Sequence, residues 1–200
     1  MHINRVNRWL LAVALLVNTF AATAQKDTFR SKWLPDHYKL QFAGAIGFFS
    51  IGAGYKTKKD KLHADLHYGY TPQSIGGLHI HALTAKTTWF PIKNINHKTW
   101  QVRPLTTGLL VNYTFGKQYF GFTPDNYPYT YYDFPTAFHV GVFVGGQVNK
   151  QVKSRRGIRR VGLYYELGTY DVELASHLRS PRAISVTDIL NLGIGVVTAF

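Results

Sequence analysis

Two groups of residues in this 200-residue chain have the types and spacing to do chemistry. His63, Asp65 and His67 occupy alternate positions in the run from Lys61 to Tyr70, and His79 and His81 repeat that spacing after a turn. In an extended strand the side chains at i and i+2 project the same way, so these residues can converge imidazoles and a carboxylate on one metal ion. A hairpin turning near Ser74 sets His67 beside His81, which makes His67, His79 and His81 the candidate ligands for zinc or copper. The competing reading is that all five residues are hydrogen-bonded polar filling of a barrel interior. The sequence favours that filling, with no metal and no cofactor expected. The second group is His139 and Glu166 on later strands, with Ser50 as a third member. A serine, a base and an orienting carboxylate are the raw material of acyl transfer.

The elements that position these residues read as strands. Lys61 to Tyr70 alternates Leu62, Ala64, Leu66, Tyr68 and Tyr70 with His63, Asp65, His67 and Gly69, a period of two with one apolar and one polar face. The next run alternates Leu78, Ile80 and Ala82 with His79 and His81 across a turn at Pro72 to Gly77. Trp100 to Phe115 reads as a long strand with a bulge near Pro104, because proline cannot donate to the ladder. Thr136 to Val148 and Arg159 to Asp171 alternate in the same way, with Phe143 the one residue out of phase. Strand parity then requires that Tyr38 to Tyr55 hold two strands with a turn near Gly44 to Phe48. The total is eight, an all-β, antiparallel, up-and-down barrel.

Composition narrows the class further. Charged residues make up 16% of the chain and Tyr and Phe number 13 each, which argues against extensive disorder and against a charge-coated surface. The absence of cysteine removes disulfide scaffolds, thiolate metal sites and thiol catalysis. Residues 1–24 have the layout of a cleaved export signal: Arg5 and Arg8, an apolar core from Trp9 to Val17, then Ala22-Thr23-Ala24. Losing those two arginines takes the formal charge from +13 to +11, so the mature chain stays basic. The expected organisation is a signal at 1–24, a short periplasmic segment at 25–37 and the barrel at 38–200.

Counting back from Phe200, the residues Thr198, Val196, Ile194, Leu192 and Leu190 fall on one face. This resembles the C-terminal strand of bacterial outer-membrane β-barrels, which as a family end in an aromatic preceded by apolar residues at alternate positions. The resemblance implies a transmembrane barrel in the outer membrane of a Gram-negative bacterium. Two small barrel enzymes of that membrane, the lipid A deacylase and the lipid A palmitoyltransferase, bear on Ser50, His139 and Glu166. The chain has neither the His-x-Ser element of the first nor the Asp-Ser pair of the second, and the spacing of His177 and Ser180 does not suit one strand face. No catalytic residue carries over.

The sequence therefore favours a non-enzymatic outer-membrane barrel acting in membrane integrity or surface recognition. A lipid-modifying enzyme and a soluble periplasmic lipid-binding barrel are the alternatives, since a lipid carrier alternates with the same period and points its apolar face inward. Recognition would fall to the segment from Gly116 to Pro135, which carries Tyr119, Tyr127, Tyr129, Tyr131 and Tyr132 and which parity places outside the cell. Its expected partners are a glycan or a protein. The barrel itself is expected to be a monomer in contact with outer-membrane lipids and lipopolysaccharide and not with nucleic acid. Two basic clusters, Lys56 to Lys61 and Lys150 to Arg160, fall at turns on the opposite side, as solvated turns or as contacts with anionic head groups.

Overall fold

The computed structural model describes residues 34–120, 136–152 and 157–200. The segment 1–24 expected to be an export signal, Tyr127, Tyr129, Tyr131 and Tyr132 of the aromatic segment, and Lys153, Arg155 and Arg156 of the second basic cluster lie outside the described residues.

Nine strands form in order: β1 His37–Ala43, β2 Phe49–Lys56, β3 Leu62–Thr71, β4 Ile80–Trp89, β5 Ile95–His97, β6 Trp100–Phe115, β7 Phe138–Gln151, β8 Arg160–Tyr170 and β9 Asn191–Ala199. Every strand pairs antiparallel with its sequence neighbour in the circuit. The pairing of β4 with β6 and of β1 with β9 closes eight of them into a barrel. Closure leaves no unpaired sheet edge. Strand β5 lies outside the circuit and makes a hairpin with the first residues of β6, His97 facing Trp100. The long β6 thus projects beyond the barrel at the end where β1 begins and β9 finishes, called here the terminal end.

Tyr38 to Tyr55 divides into β1 and β2 around a turn at 44–48, where Gly44 and Gly47 have φ of 85° and 124° that residues with a side chain rarely adopt. The bulge also falls where proline demands it, the β6–β7 register slipping between Arg103 and Thr106 on either side of Pro104. Two of the longer connections between strands are regular in part. One contains β5. The other holds helix α2 at Asp171–Arg179, following the one-turn helix α1 at Gln73–Gly76 in the β3–β4 turn. Glu173 starts α2 by accepting the Tyr170 N–H at 3.1 Å, and acidic residues in its first turn with basic ones in its last suit the helix dipole.

The faces of the strands segregate sharply. Outward positions carry Leu40, Ile51, Leu66, Leu83, Leu109, Val142, Leu163 and Ile194, each between 38% and 63% exposed. Inward positions carry Lys39, Gln41, Asp65, His67, Thr84, Lys86, Asn112, Asn149 and Glu166, all buried. The protein is apolar outside and ionic inside, the reverse of a water-soluble barrel. One end of the interior is sealed by an apolar layer: the β1–β2 turn folds inward, so that Ile46 packs on Leu110 and Phe143, and the Tyr170 hydroxyl donates to the Ala45 carbonyl. Phe143 breaks the apolar alternation of β7 because it belongs to this plug.

Candidate functional site

The polar interior is the main concentration of reactive side chains among the described residues, and the ladder register builds it. Asp65 sits opposite Gly54 of β2 and Lys86 of β4, and β1 brings His37 and Lys39 to the same level. His37 Nε2–H donates to Asp65 Oδ1, while Lys39 Nζ donates to Oδ2 at 2.7 Å. Lys86 pairs with Glu166 from the far wall, and its ammonium stands 4.4 Å from the centre of the Phe143 ring. Tyr164 lies between these pairs, its hydroxyl donating to Gln41 Oε1 at 3.1 Å and its ring facing both lysine ammoniums at 5.7 and 5.8 Å. Each buried charge therefore has an opposite charge in contact, the condition under which ions persist away from water.

The terminal end has its own cluster. Asp60, in the β2–β3 turn, accepts from Arg103 Nη2 at 2.6 Å, from Arg160 Nη1 at 3.0 Å and from His63 Nε2 at 2.7 Å. Its partial burial alone would raise its carboxyl. The His63 hydrogen bond and the two guanidinium charges outweigh that and hold it well below the usual carboxylate range. Arg103 also stacks on Phe90, its guanidinium carbon 4.0 Å from the ring centre, which closes the barrel from beneath. Two recesses among the described residues are small. One is lined by His37, His63, Arg103 and Asn149 near this end and another by Gln41, Ile46, Phe143 and Glu166 near the apolar plug, each with room for about one water molecule.

Two sequence expectations about these residues are corrected. His63, Asp65 and His67 point inward, but His79 and His81 do not join them. The register sets His67 opposite Thr84 and His81 opposite Tyr70, and both later histidines lie on the outer face, hydrogen-bonded to Tyr70 and Tyr68 hydroxyls at 2.7 and 2.5 Å. The phase of β4 is set by Leu83, Ala85 and Trp89 outside against Thr84, Lys86 and Thr88 inside, so Ala82 faces inward and the histidines outward. A shift of one residue reverses every side chain of a strand. His67, His79 and His81 are thus divided by the barrel wall. No group of three or more His, Asp or Glu residues among the described residues is arranged to hold a metal ion.

The acyl-transfer set is likewise not assembled. Glu166 is engaged by Lys86, whereas His139 contacts Asp171 at 3.2 Å where α2 begins. Ser50 is buried against Gly69 and Gln41 of the neighbouring strands and its hydroxyl has no hydrogen-bond partner among the described residues. No hydrogen bond links the three residues. His67 is fully buried with both ring nitrogens unpartnered, its imidazole lying over Gly52, where an added Cβ would stand 2.5 Å from the ring. Tyr119 lies one residue before Phe120, where the described part of the aromatic segment stops, in a turn where its N–H meets the Gly116 carbonyl at 3.1 Å. The residues that do organise the interior, Lys39, Lys86, Arg103 and Tyr164, were missed. Their signal was available, since Lys39 and Lys86 are lone charges set between apolar or small neighbours inside strands.

No family model, curated protein or solved structure matches the chain. The functional argument therefore rests on geometry and polarity.

Proposed function

We propose that the protein is an integral outer-membrane β-barrel, neither an enzyme nor a pore, that serves membrane integrity or surface recognition. The observation that carries this is the inverted polarity of the closed sheet. In water the outward apolar side chains would form one patch around the whole circumference, far above the few hundred Å² that soluble monomers expose. In hydrocarbon the same surface is matched to its solvent, and a closed barrel satisfies every strand hydrogen bond internally. The dimensions suit a bilayer: the ten residues of β3, at about 3.3 Å each and tilted by roughly 40°, span about 25 Å. Exposed aromatics gather at both ends, with Tyr38, Tyr55, Trp89 and Trp100 at the terminal end and Phe42, Tyr113, Phe115 and Phe138 at the other, as in the girdles of membrane barrels.

The filled interior argues against the alternatives. A lipid carrier needs an apolar cavity, and this interior is packed with ion pairs around recesses of about one water. A general pore needs an open channel, which Ile46, Phe143, Phe90 and Arg103 obstruct. In the proposed orientation the terminal end faces the periplasm and the segment from Gly116 to Pro135 faces outward, available to a glycan or a protein.

Fractionation tests the assignment. The protein should stay in the membrane pellet through carbonate and urea washes, enter solution with detergent and migrate differently on gels before and after boiling. Recovery in the soluble fraction after osmotic release would overturn it. The non-enzymatic reading predicts an unchanged lipid A mass spectrum in a host that lacks modification enzymes. A new lipid A species that disappears with His139→Ala, Ser50→Ala or Glu166→Gln would make the protein a lipid-modifying enzyme instead.

A further inference from the structure

The two ends of the barrel differ in charge. At the terminal end the β2–β3 turn exposes Lys58, Lys59 and Lys61, the β5 hairpin exposes Lys93 and Lys98, and Lys150 and Arg159 flank the β7–β8 turn. No acidic side chain described at this end is fully exposed. Asp60 is spent on Arg103, Arg160 and His63, and Asp36 accepts the Lys56 N–H at 3.0 Å. At the opposite end Lys117, Arg179 and Arg182 are offset by Asp171, Glu173 and Asp188.

Two of these cations adjoin the apolar belt. Lys61 precedes the outward Leu62, and the Lys150 ammonium lies 5.3 Å from the centre of the Trp100 ring. The β5 hairpin continues the pattern, exposing Ile92 and Ile95 among its lysines next to Trp100. Apolar and aromatic residues interleaved with lysines at the edge of a lipid-facing surface match the layer where acyl chains meet head groups.

We propose that the terminal end is a binding surface for anionic phospholipid head groups of the leaflet it meets, with the β5 hairpin lying on that leaflet. The proposal rests on the membrane reading above. Seven exposed cations without an exposed counter-charge are drawn to phosphate-bearing surfaces, each contributing roughly a fivefold preference at low salt, and the attraction fades within a Debye length. An anionic wall polymer would offer charge but no partner for Ile92, Ile95 and Trp100. That difference favours lipid.

Trp89 and Trp100 at this rim provide the readout. Full-length mature protein is folded into vesicles of phosphatidylcholine mixed with phosphatidylglycerol, one or the other carrying bromine on its acyl chains, and tryptophan quenching gives the lipid composition around the barrel. The expected result is several-fold stronger quenching by brominated phosphatidylglycerol than its bulk fraction predicts. That excess should shrink in 0.5 M salt (a Debye length of roughly 4 Å) and in Lys58→Gln/Lys59→Gln/Lys61→Gln and Lys93→Gln/Lys98→Gln variants, whose changes are exposed and leave the fold intact. Equal quenching by the two lipids overturns the proposal, as does a preference that salt leaves unchanged or sedimentation with wall polymer without lipid preference. Quenching by neither lipid overturns the membrane reading itself, so the two failures are distinguishable.

Discussion

Leu66→Arg separates a lipid-facing wall from a water-facing one. Leu66 lies at the middle of β3, 54% exposed, with small neighbours Ala53 and Ala85 directly across on either side. Leu62 is on the same face at the terminal rim. The four-residue step from 62 to 66 covers about 13 Å of strand and about 10 Å of depth at a tilt near 40°. An arginine at 62 reaches head groups and costs about 0–1 kcal/mol, whereas at 66 it sits near the midplane and costs about 2–4 kcal/mol. Were both faces in water, neither substitution would change stability by more than about 0.5 kcal/mol, the usual range for surface changes. Equilibrium unfolding in urea from phospholipid vesicles, followed by tryptophan emission, gives both values. A difference between Leu66→Arg and Leu62→Arg of less than about 0.5 kcal/mol would refute the depth argument and the lipid-facing assignment of β3.

Three further outcomes follow from the interior. Lys86→Met leaves Glu166 as a buried unpaired carboxylate and should destabilise by about 3–5 kcal/mol, while Lys86→Met with Glu166→Gln should recover much of that loss; equal destabilisation of single and double variants in the urea assay would contradict the pairing. Gly52→Ala should fold poorly, because its Cβ meets the His67 ring at 2.5 Å, and His67→Ala in the same chain should restore folding yield; a Gly52→Ala variant as stable as wild type would show that the ring does not lie over that glycine. Asp60 has its folded-state carboxyl held below its ordinary 3.8, so its contribution is complete above about pH 4 and is lost as the pH falls further. Asp60→Asn should therefore be less stable than wild type at pH 7 and approach it at pH 2–3; parallel stability curves across that range would rule out the Asp60 network.

Much of the barrel was legible because period-two alternation survives wherever both faces are chemically distinct. Strand β6 reads directly from its alternation, and β3, β7 and β8 emerge within a few residues of their ends. The β1–β2 turn follows from parity and from Gly44 and Gly47. Strand β4 misled because Leu78 precedes the strand and Ile80 only opens it, while Ala82 is small enough to sit inside. That one-residue ambiguity carried His79 and His81 to the wrong side of the wall. Periodicity also gives a residue's face but not its partners, and for this reason Ser50, His139 and Glu166 share a face without a hydrogen bond among them. The ion pairs were least legible: Lys86 and Glu166 are 80 residues apart, and nothing local to either marks the other.

The same argument explains why the interior is ionic. In a membrane, outward leucines and valines gain nothing from leaving water once the barrel is inserted, so outer contacts do little to choose one register over another. On the proposed membrane reading, discrimination comes from inside, where a slip of one residue would turn Lys39, Asp65 and Lys86 onto the apolar outer face and leave Glu166 without a partner. The glycines opposite His67 and Tyr164 add a steric version of that constraint, since Gly52 and Gly195 are the positions over which those rings lie. Ion pairing and ring-over-glycine packing therefore specify the fold from within, and that leaves the two rims free to differ. Among the described residues one rim is basic and set among aromatics, and the other is nearly neutral and carries α2.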